Sequence, residues 1–231
     1  MDRYTQTPGY ASPTQSFALS QYMSKVYSWM TAGILLTGLV AWLVSTNGEF
    51  LYFMMTNRIF FIGLIIAQFA LVIWMSARIN QMSFTKATSL FLFYAALNGV
   101  TLSVIAIVYT SESIASAFFT TTAAFAGLSA FGYITKRDLG PVGSFCAMGL
   151  FGLIGFGFLA LFFPSLMTTT ASKVYGLVGI VVFAGLTAYD TQKIKNMGNY
   201  HHNAAILGAL KLYLDFINLF LFILRMSGRR R

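Results

Sequence analysis

The chain has 231 residues, of which 57% are hydrophobic and only 9% are charged, and its mean hydropathy is +0.72. Soluble domains carry about 25% charged residues, so this composition predicts an integral membrane protein and excludes an ordinary soluble one. The net charge of +9 does not indicate nucleic-acid binding, because the cations lie in short runs between apolar stretches and at the C-terminus. They are better explained as topology signals and contacts to lipid headgroups.

The first 24 residues are predicted to form a mobile polar tail, because they are rich in Ser, Thr, Gln, Pro and Tyr and have no apolar core. The first apolar run begins near Val26, directly after Lys25, and has no small-residue cleavage pattern. It is therefore interpreted as a spanning helix and not as a cleaved signal peptide. The chain divides into a cytoplasmic tail, residues 1–24, and one membrane domain, residues 25–231.

Seven apolar runs follow, each close to the roughly 20 residues that a helix needs to cross a bilayer. They lie near residues 26–45, 59–77, 87–109, 114–134, 142–163, 174–192 and 204–225. Their separators are short and contain Asn, Gly, Pro and Ser, as loops do. The sequence therefore predicts an all-α membrane protein with seven transmembrane helices and no soluble domain.

Lys and Arg residues accumulate in loops on the cytoplasmic side of a membrane, and this bias favours a cytoplasmic N-terminus. The three outer loops then hold only Arg58 and Lys173. Arg229, Arg230 and Arg231 argue the other way, since seven spans place them outside. The cations on the cytoplasmic side would be Arg3, Lys25, Arg78, Lys86, Lys136, Arg137, Lys193 and Lys195.

Two acids, Asp190 and Asp215, lie inside apolar runs, although the chain has only six Asp and Glu residues in total. A carboxylate in hydrocarbon is costly, so an intramembrane acid suggests a functional site. Asp190 falls near the cytoplasmic end of the sixth run and Asp215 in the middle of the seventh. Counting 1.5 Å per residue puts Asp215 roughly 10 Å deeper, which permits contact between the two acids without establishing it.

The seventh run carries a polar stripe of Lys211, Asp215, Asn218 and Arg225, whose offsets of four, three and seven place them on one helix face. Such a stripe must face protein or water, so the last helix is predicted to be central and surrounded by the other six. Two local ion pairs remain open alternatives: Lys211 with Asp215 at i,i+4, and Asp190 with Lys193 at i,i+3.

Small and uncharged polar residues within the runs predict close helix packing, because small residues let helix backbones approach in lipid. Cys146 is the only cysteine, which excludes an internal disulfide and a thiolate metal site. With Gln68 and Asn98, it is expected to form hydrogen bonds between helices. The glycines concerned are Gly149, Gly152 and Gly155 in the fifth run and Gly176, Gly179 and Gly185 in the sixth.

The sequence AYDTQKIK at residues 188–195, followed by LYLDFINLF at 212–220, resembles the signature of the Bax inhibitor family of membrane proteins. The resemblance extends over the membrane part of the chain and includes WM at 29–30 and YITKRDL at 133–139. The overall pattern is similar to the bacterial branch, which implies a location in the bacterial inner membrane.

The resemblance implies a seven-helix fold with the last helix wrapped by the other six, and a pH-sensitive calcium leak. It also implies that Asp190 and Asp215 form a hydrogen-bonded dyad that senses pH. An arginine at the cytoplasmic end of the second helix is a proposed gating partner in bacterial relatives, and Arg78, in WMSAR at 74–78, is the candidate here.

A carboxylate dyad suits a pH sensor, because two carboxylates forced together in a low-dielectric site cannot both ionise cheaply and therefore share one proton. Calcium prefers six to eight oxygen ligands. Asp190 and Asp215 would therefore bind calcium weakly, with carbonyls and water completing the shell. Calcium is expected as the transported ion, and no cofactor is expected.

Two other functions were considered. An intramembrane aspartyl protease also has paired acids on consecutive helices, but this chain has LYLD at 212–215 where those proteases have GxGD, and no Pro-Ala-Leu motif follows. We therefore do not expect an enzyme. A non-transporting regulator of a protease or cell-death factor is the other alternative, with a membrane protein as its partner and the N-terminal tail as the contact.

Overall fold

The computed structural model describes residues 13–197 and 203–229, and within these it is almost entirely helical. Short 3-10 turns at Ile79–Gln81 and Pro164–Leu166 complete the connections. The prediction of an all-α protein is confirmed. In chain order the helices are α1 Pro13–Ser45, α2 Gly48–Thr56, α3 Arg58–Arg78, α4 Phe84–Leu102, α5 Ile105–Val108, α6 Ser111–Ile134, α7 Gly140–Phe162, α8 Thr169–Asn196 and α9 Ala204–Ser227.

Seven segments of the described chain are long and apolar enough to cross a membrane, which confirms the predicted number of spans. They correspond to α1, α3, α4 with α5, α6, α7, α8 and α9. Large apolar side chains project outward from them, as at Ile59, Phe151 and Phe119, which are 86%, 75% and 71% exposed. Such surfaces are stable when lipid covers them.

Helix α1 begins at Pro13, well before the apolar run at Val26, so residues 13–24 of the predicted tail belong to the first helix. The reason is packing: Tyr22 and Met23 are buried in the main core, and the Tyr22 hydroxyl donates to the carbonyl of Ala204 at 3.3 Å. Residues 1–12, for which mobility is predicted, lie outside the described residues.

Polar side chains in the short connections fix where several helices begin. Asn57 accepts a hydrogen bond from Phe60 N at the start of α3, and Ser83, Thr110 and Thr168 cap α4, α6 and α8 in the same way. An N-cap satisfies a backbone N–H that has no partner within the helix. The first connection also contains α2, a short helix at a place where the sequence predicts a loop.

Helix α9 is the most buried of the seven spans, because 61% of its most apolar 18-residue stretch is buried inside the protein. It packs mainly against α1, α4, α6 and α8, while α3 packs on α4 and α7 on α8. Tyr213 fastens α9 to two of these neighbours, because its hydroxyl shares a 2.7 Å hydrogen bond with Thr37 and its ring stands edge-on to Phe91 and Tyr94.

Three side chains form hydrogen bonds that join helix ends and interhelical connections at one end of the bundle. Tyr22 joins the start of α1 to the start of α9. Asn203 donates to the carbonyls of Ile79 and Met82 between α3 and α4. Gln192 accepts from Leu139 N and donates to the Arg137 carbonyl between α6 and α7. We call this the basic end, because it carries Lys25, Arg78, Lys86, Lys136, Arg137, Lys193 and Lys195.

Candidate functional site

Asp190 on α8 and Lys211 on α9 form an ion pair, with Lys211 Nζ 3.6 Å from Asp190 Oδ1. Asp190 lies six residues before the end of α8, and Lys211 lies seven after the start of α9. Both are therefore roughly 10 Å inside the basic end. The side chains are only 28% and 15% exposed for Lys211 and Asp190, so water screens the pair less than it would on a surface.

Asp215 lies one helical turn further along α9 than Lys211 and is 4% exposed. Its Oδ2 accepts no hydrogen bond from the described residues. Asp190 and Lys211 are both close enough to act on Asp215 electrostatically, and Asp215 acts in turn on the thiol of Cys146 in α7. The structure thus brings two acids and one lysine into a single electrostatic cluster, which we call the acid cluster: Asp190, Lys211 and Asp215.

Close helix approaches hold α8 in place beside the acid cluster. A Cβ added to Gly132 of α6 would lie 2.2 Å from the carbonyl oxygen of Ala188, so the two backbones are in contact there. A Cβ on Gly143 of α7 would lie 2.4 Å from the ring of Tyr189. Residues with side chains would push α6 and α7 away, so these two glycines position the turn of α8 that carries Asp190.

The residues of the predicted polar stripe on α9 contact different partners. Asn218 donates to the carbonyl of Leu214 in its own helix, and the guanidinium of Arg225 lies 5.1 Å from the ring centroid of Tyr175 in α8. Lys211 and Arg225 thus both contact α8, near opposite ends of the interface between α8 and α9. The stripe lies on a protein-facing side of α9, as its charges require.

Neither local ion pair left open by the sequence is formed within 4 Å in the described structure. Lys211 pairs with Asp190 on the neighbouring helix and not with Asp215 on its own. Lys193 donates instead to the hydroxyl of Tyr189 at 3.2 Å, with its ammonium 5.3 Å from that ring centroid.

Arg78 lies at the last residue of α3, exposed at the basic end. Its Nη1 donates to Gln81 Oε1 at 3.2 Å, and it forms no ion pair within 4 Å with Asp190 or Asp215. Its role as gating partner stays a prediction. The cation that the structure places on the acids is Lys211.

The acid cluster has few ligands for a metal ion. The described residues contain no group of three or more His, Cys, Asp and Glu side chains positioned to hold one. Two carboxylates fall short of the six to eight oxygens that calcium prefers, and Lys211 already neutralises one of them.

A chain of hydroxyl groups links three helices near the site, and the sequence analysis did not identify it. Tyr27 of α1 bonds Ser129 of α6 at 2.5 Å, and Ser129 bonds Thr191 of α8 at 3.0 Å. Thr191 follows Asp190 directly and also donates to the Thr187 carbonyl. Ser129 and Thr191 are hydroxyl residues buried in spanning helices, which is the signal that would have pointed to them.

Comparison with known proteins agrees with this architecture. The family model described as "Inhibitor of apoptosis-promoting Bax1" matches residues 19–231. The inner membrane protein YbhL of Escherichia coli (strain K12) is 46% identical over 239 residues, covering all of both chains. An uncharacterised protein of Rickettsia prowazekii is 41% identical over 99% of this chain and 98% of its own. The described helices and these relatives establish that the chain belongs to the Bax inhibitor family of multi-pass membrane proteins.

Proposed function

We propose that this protein is a pH-sensitive calcium leak channel or transporter of the bacterial inner membrane, gated by Asp190 and Asp215. The observation that carries the proposal is the burial of the Asp215 carboxylate on the most buried helix, beside the Asp190–Lys211 ion pair. A buried carboxylate without hydrogen-bond donors is costly while it is ionised. A proton or a cation that reaches the acid cluster would lower that cost.

The balance of charge explains why protons and calcium would compete. With both acids ionised and Lys211 protonated, the acid cluster has a net charge of −1, and one added proton makes it neutral. Lys193 also acts on Asp190 electrostatically, and Asp215 acts on the Cys146 thiol of α7. A calcium ion could provide the same compensation, so the ion and the proton favour alternative states of one site.

Lys211 is the moving part of the proposed gate. An ionised Asp190 attracts its ammonium across the α8–α9 interface, and protonation of Asp190 removes that attraction. The lysine stem is long and flexible, so the ammonium can then leave toward the basic end. A local change of charge that alters one helix contact is a common way to switch between two states. Calcium would enter only where Lys211 has moved aside, which makes its binding weak.

The distribution of cations suggests how the protein lies in the membrane. The seven Lys and Arg residues of the basic end outnumber the four described ones toward the opposite end, which favours a cytoplasmic basic end and N-terminus. The four are Arg58, Lys173, Arg225 and Arg229. The acid cluster would then lie about two helical turns in from the cytoplasmic surface.

Calcium flux into proteoliposomes, recorded between pH 5 and pH 8, tests the proposal. We expect a pH-dependent flux for the natural chain and a flux that is lost or independent of pH for Asp190→Asn and Asp215→Asn.

Asp138→Asn is the matched control. Asp138 is exposed, and its carboxylate caps Gly140 N, which an asparagine oxygen can also do. A natural pH profile in both Asp190→Asn and Asp215→Asn, or an equal loss in Asp138→Asn, would overturn the proposal.

The acid cluster gives less support to an intramembrane protease. An aspartyl protease needs two carboxylates that share a proton over a water molecule. In the described structure Asp190 is paired with Lys211 at 3.6 Å and Asp215 Oδ2 has no hydrogen-bond partner, so the two carboxylates are not joined by a hydrogen bond. The regulatory alternative rests on the predicted N-terminal tail, half of which lies outside the described residues.

A further inference from the structure

An open seam runs along the bundle between α1 and α6. These helices pack chiefly against other partners, α1 against α4 and α9, and α6 against α8 and α9. Two cavities of about 690 and 640 Å³ lie between them. Both are lined by Ile34 of α1, Phe118 of α6 and Phe216 of α9, so they adjoin each other, and we call the two together the seam.

The seam faces the surroundings of the bundle, and its walls are largely apolar. Leu35 on α1 and Phe119 on α6 line it and are 67% and 71% exposed. In a membrane these residues meet lipid. The first cavity reaches the basic end at Ser20, Ser24 and Tyr133, while the second reaches toward the opposite end at Ser45 and Ser111.

The width of the seam excludes a whole helix. The hydroxyl of Tyr27 bonds Ser129 across it at 2.5 Å, and both residues line the first cavity. A helix with its side chains is about 10–12 Å across and could not enter between α1 and α6 while a single side-chain hydrogen bond joins them. A slender apolar chain can occupy the space on either side of this bond.

Cations surround the seam where it opens at the basic end. Three exposed cations lie within three residues of lining residues in the sequence: Lys25 next to Ser24, and Lys136 and Arg137 just after Ile134. The ammonium of Lys195 donates to the Tyr133 carbonyl at 2.7 Å and lies 4.9 Å from the centroid of that ring, which also lines the seam. Asp138, in the same connection, is already engaged with Gly140 N.

We propose that this seam binds one anionic phospholipid. Its acyl chains lie along the apolar seam, and its phosphate lies among Lys25, Lys136, Arg137 and Lys195. The hydroxyls of Ser20 and Ser24 provide donors for phosphate or ester oxygens at the junction. Because the chain of hydroxyl groups runs from Tyr27 to Thr191, the bound lipid contacts the network that reaches α8 beside Asp190. The proposal does not depend on calcium transport.

Native mass spectrometry of the full chain in mild detergent tests the site, with phosphatidylglycerol and phosphatidylcholine of identical acyl chains as probes. We expect one phosphatidylglycerol per chain, bound more tightly than phosphatidylcholine. The double variant Lys25→Gln with Lys136→Gln should weaken phosphatidylglycerol binding about 30-fold, since each cation near anionic lipid contributes about five-fold. Lys86→Gln with Lys173→Gln removes the same charge elsewhere and should leave the affinity close to natural.

A second variant tests the seam separately from its charges. Ala130 is exposed and lines the first cavity, so Ala130→Phe should fill the seam and displace both lipids without lowering the unfolding temperature. Equal affinity for the two lipids, equal effects of the two double variants, or lipid retained by Ala130→Phe would each overturn the proposal. Cross-linking between copies through seam residues would overturn it too, because a second chain would then be the occupant.

Discussion

Helix α8 meets its neighbours in two different ways around the turn that carries Asp190. Toward α6 and α7 it is fixed by close approach, with Gly132 against the Ala188 backbone and Gly143 against the Tyr189 ring. Toward α9 it is held by charge, through the ion pair of Asp190 with Lys211. We expect the second contact, which depends on charge, to respond to pH and the first to be insensitive to it.

This difference assigns separate tasks to the two sides of α8. Close packing leaves two helices only one favourable arrangement, because protein interiors have few voids to absorb a shift. An ion pair through a lysine stem can break without disturbing either backbone. We therefore expect α8 to stay with α6 and α7 while its contact with α9 responds to protonation. The following predictions test that contrast in order of decreasing effect.

Gly132→Ala should have the largest effect on stability. The new Cβ would meet the backbone of Ala188, which cannot rotate away, so α6 and α8 must separate. We expect the free energy of unfolding in detergent to fall by about 3 kcal/mol, near the upper end of overpacking costs.

Gly127→Ala is its matched control on the same helix, since a Cβ at Gly127 has no atom within 4 Å. Alanine is the better helix former, so this variant should be unchanged or up to about 1 kcal/mol more stable. Equal stability of the two alanine variants would show that α6 and α8 are not fixed by their backbones.

Lys211→Gln should destabilise the protein in a pH-dependent way. It leaves a mostly buried Asp190 without its partner. We expect a loss of about 1–2 kcal/mol in the free energy of unfolding, which lies between the values for surface and buried ion pairs. The penalty exists while Asp190 is ionised, so it should be present at pH 8 and shrink toward pH 5 as the acid takes up a proton. Unfolding by denaturant at both pH values measures it.

The double variant Asp190→Asn with Lys211→Gln should recover most of that loss at pH 8, because it leaves no unpaired charge. Lys173→Gln, at the other end of α8, is the control and should be near neutral. A Lys211→Gln penalty that is the same at both pH values would mean that the contact depends on packing and not on charge.

Tyr213→Phe should lower the free energy of unfolding by about 1 kcal/mol at every pH, the usual net value of one hydrogen bond. It removes the bond to Thr37, while the Thr37 hydroxyl keeps its bond to the Ala95 carbonyl at 2.8 Å. Tyr52→Phe, at a side chain that is 71% exposed, is the control and should be silent in thermal unfolding. A pH-dependent loss in Tyr213→Phe would place this contact among the switching ones.

Arg78→Gln should have the smallest effect, within about 0.5 kcal/mol, as for most surface substitutions. Its guanidinium bonds Gln81 at the rim of the bundle and not the acids. The pH profile of calcium flux should therefore change less in this variant than in Lys211→Gln. The reverse order would assign the gating cation to Arg78, as the family resemblance implies.

Much of this fold follows from the sequence, because the bilayer imposes simple requirements. The seven spans are predicted from length and apolar composition, and they agree in number with the structure. The acids at 190 and 215 are conspicuous because charge in hydrocarbon is expensive. Residues 13–24 were assigned to the tail because composition does not reveal that Tyr22 and Met23 pack against distant helices.

The partner of Lys211 could not be predicted, since it depends on how α8 and α9 are rotated against each other. An offset of four residues makes Asp215 a possible neighbour, but the structure turns the ammonium toward Asp190. The glycines show the same limit. A Cβ added to Gly149 would meet Val182, whereas one added to Gly152 or Gly155 would have no atom within 4 Å.

The separation between Lys211 Nζ and the Asp190 carboxylate, measured in structures determined at acidic and alkaline pH, tests the pH-sensitive contact most directly. At alkaline pH we expect the two groups to stay within 4 Å, as in the present structure. At acidic pH we expect the ammonium to have left, while the approach of Gly132 to Ala188 is unchanged. An ion pair of the same length at both pH values would contradict the account.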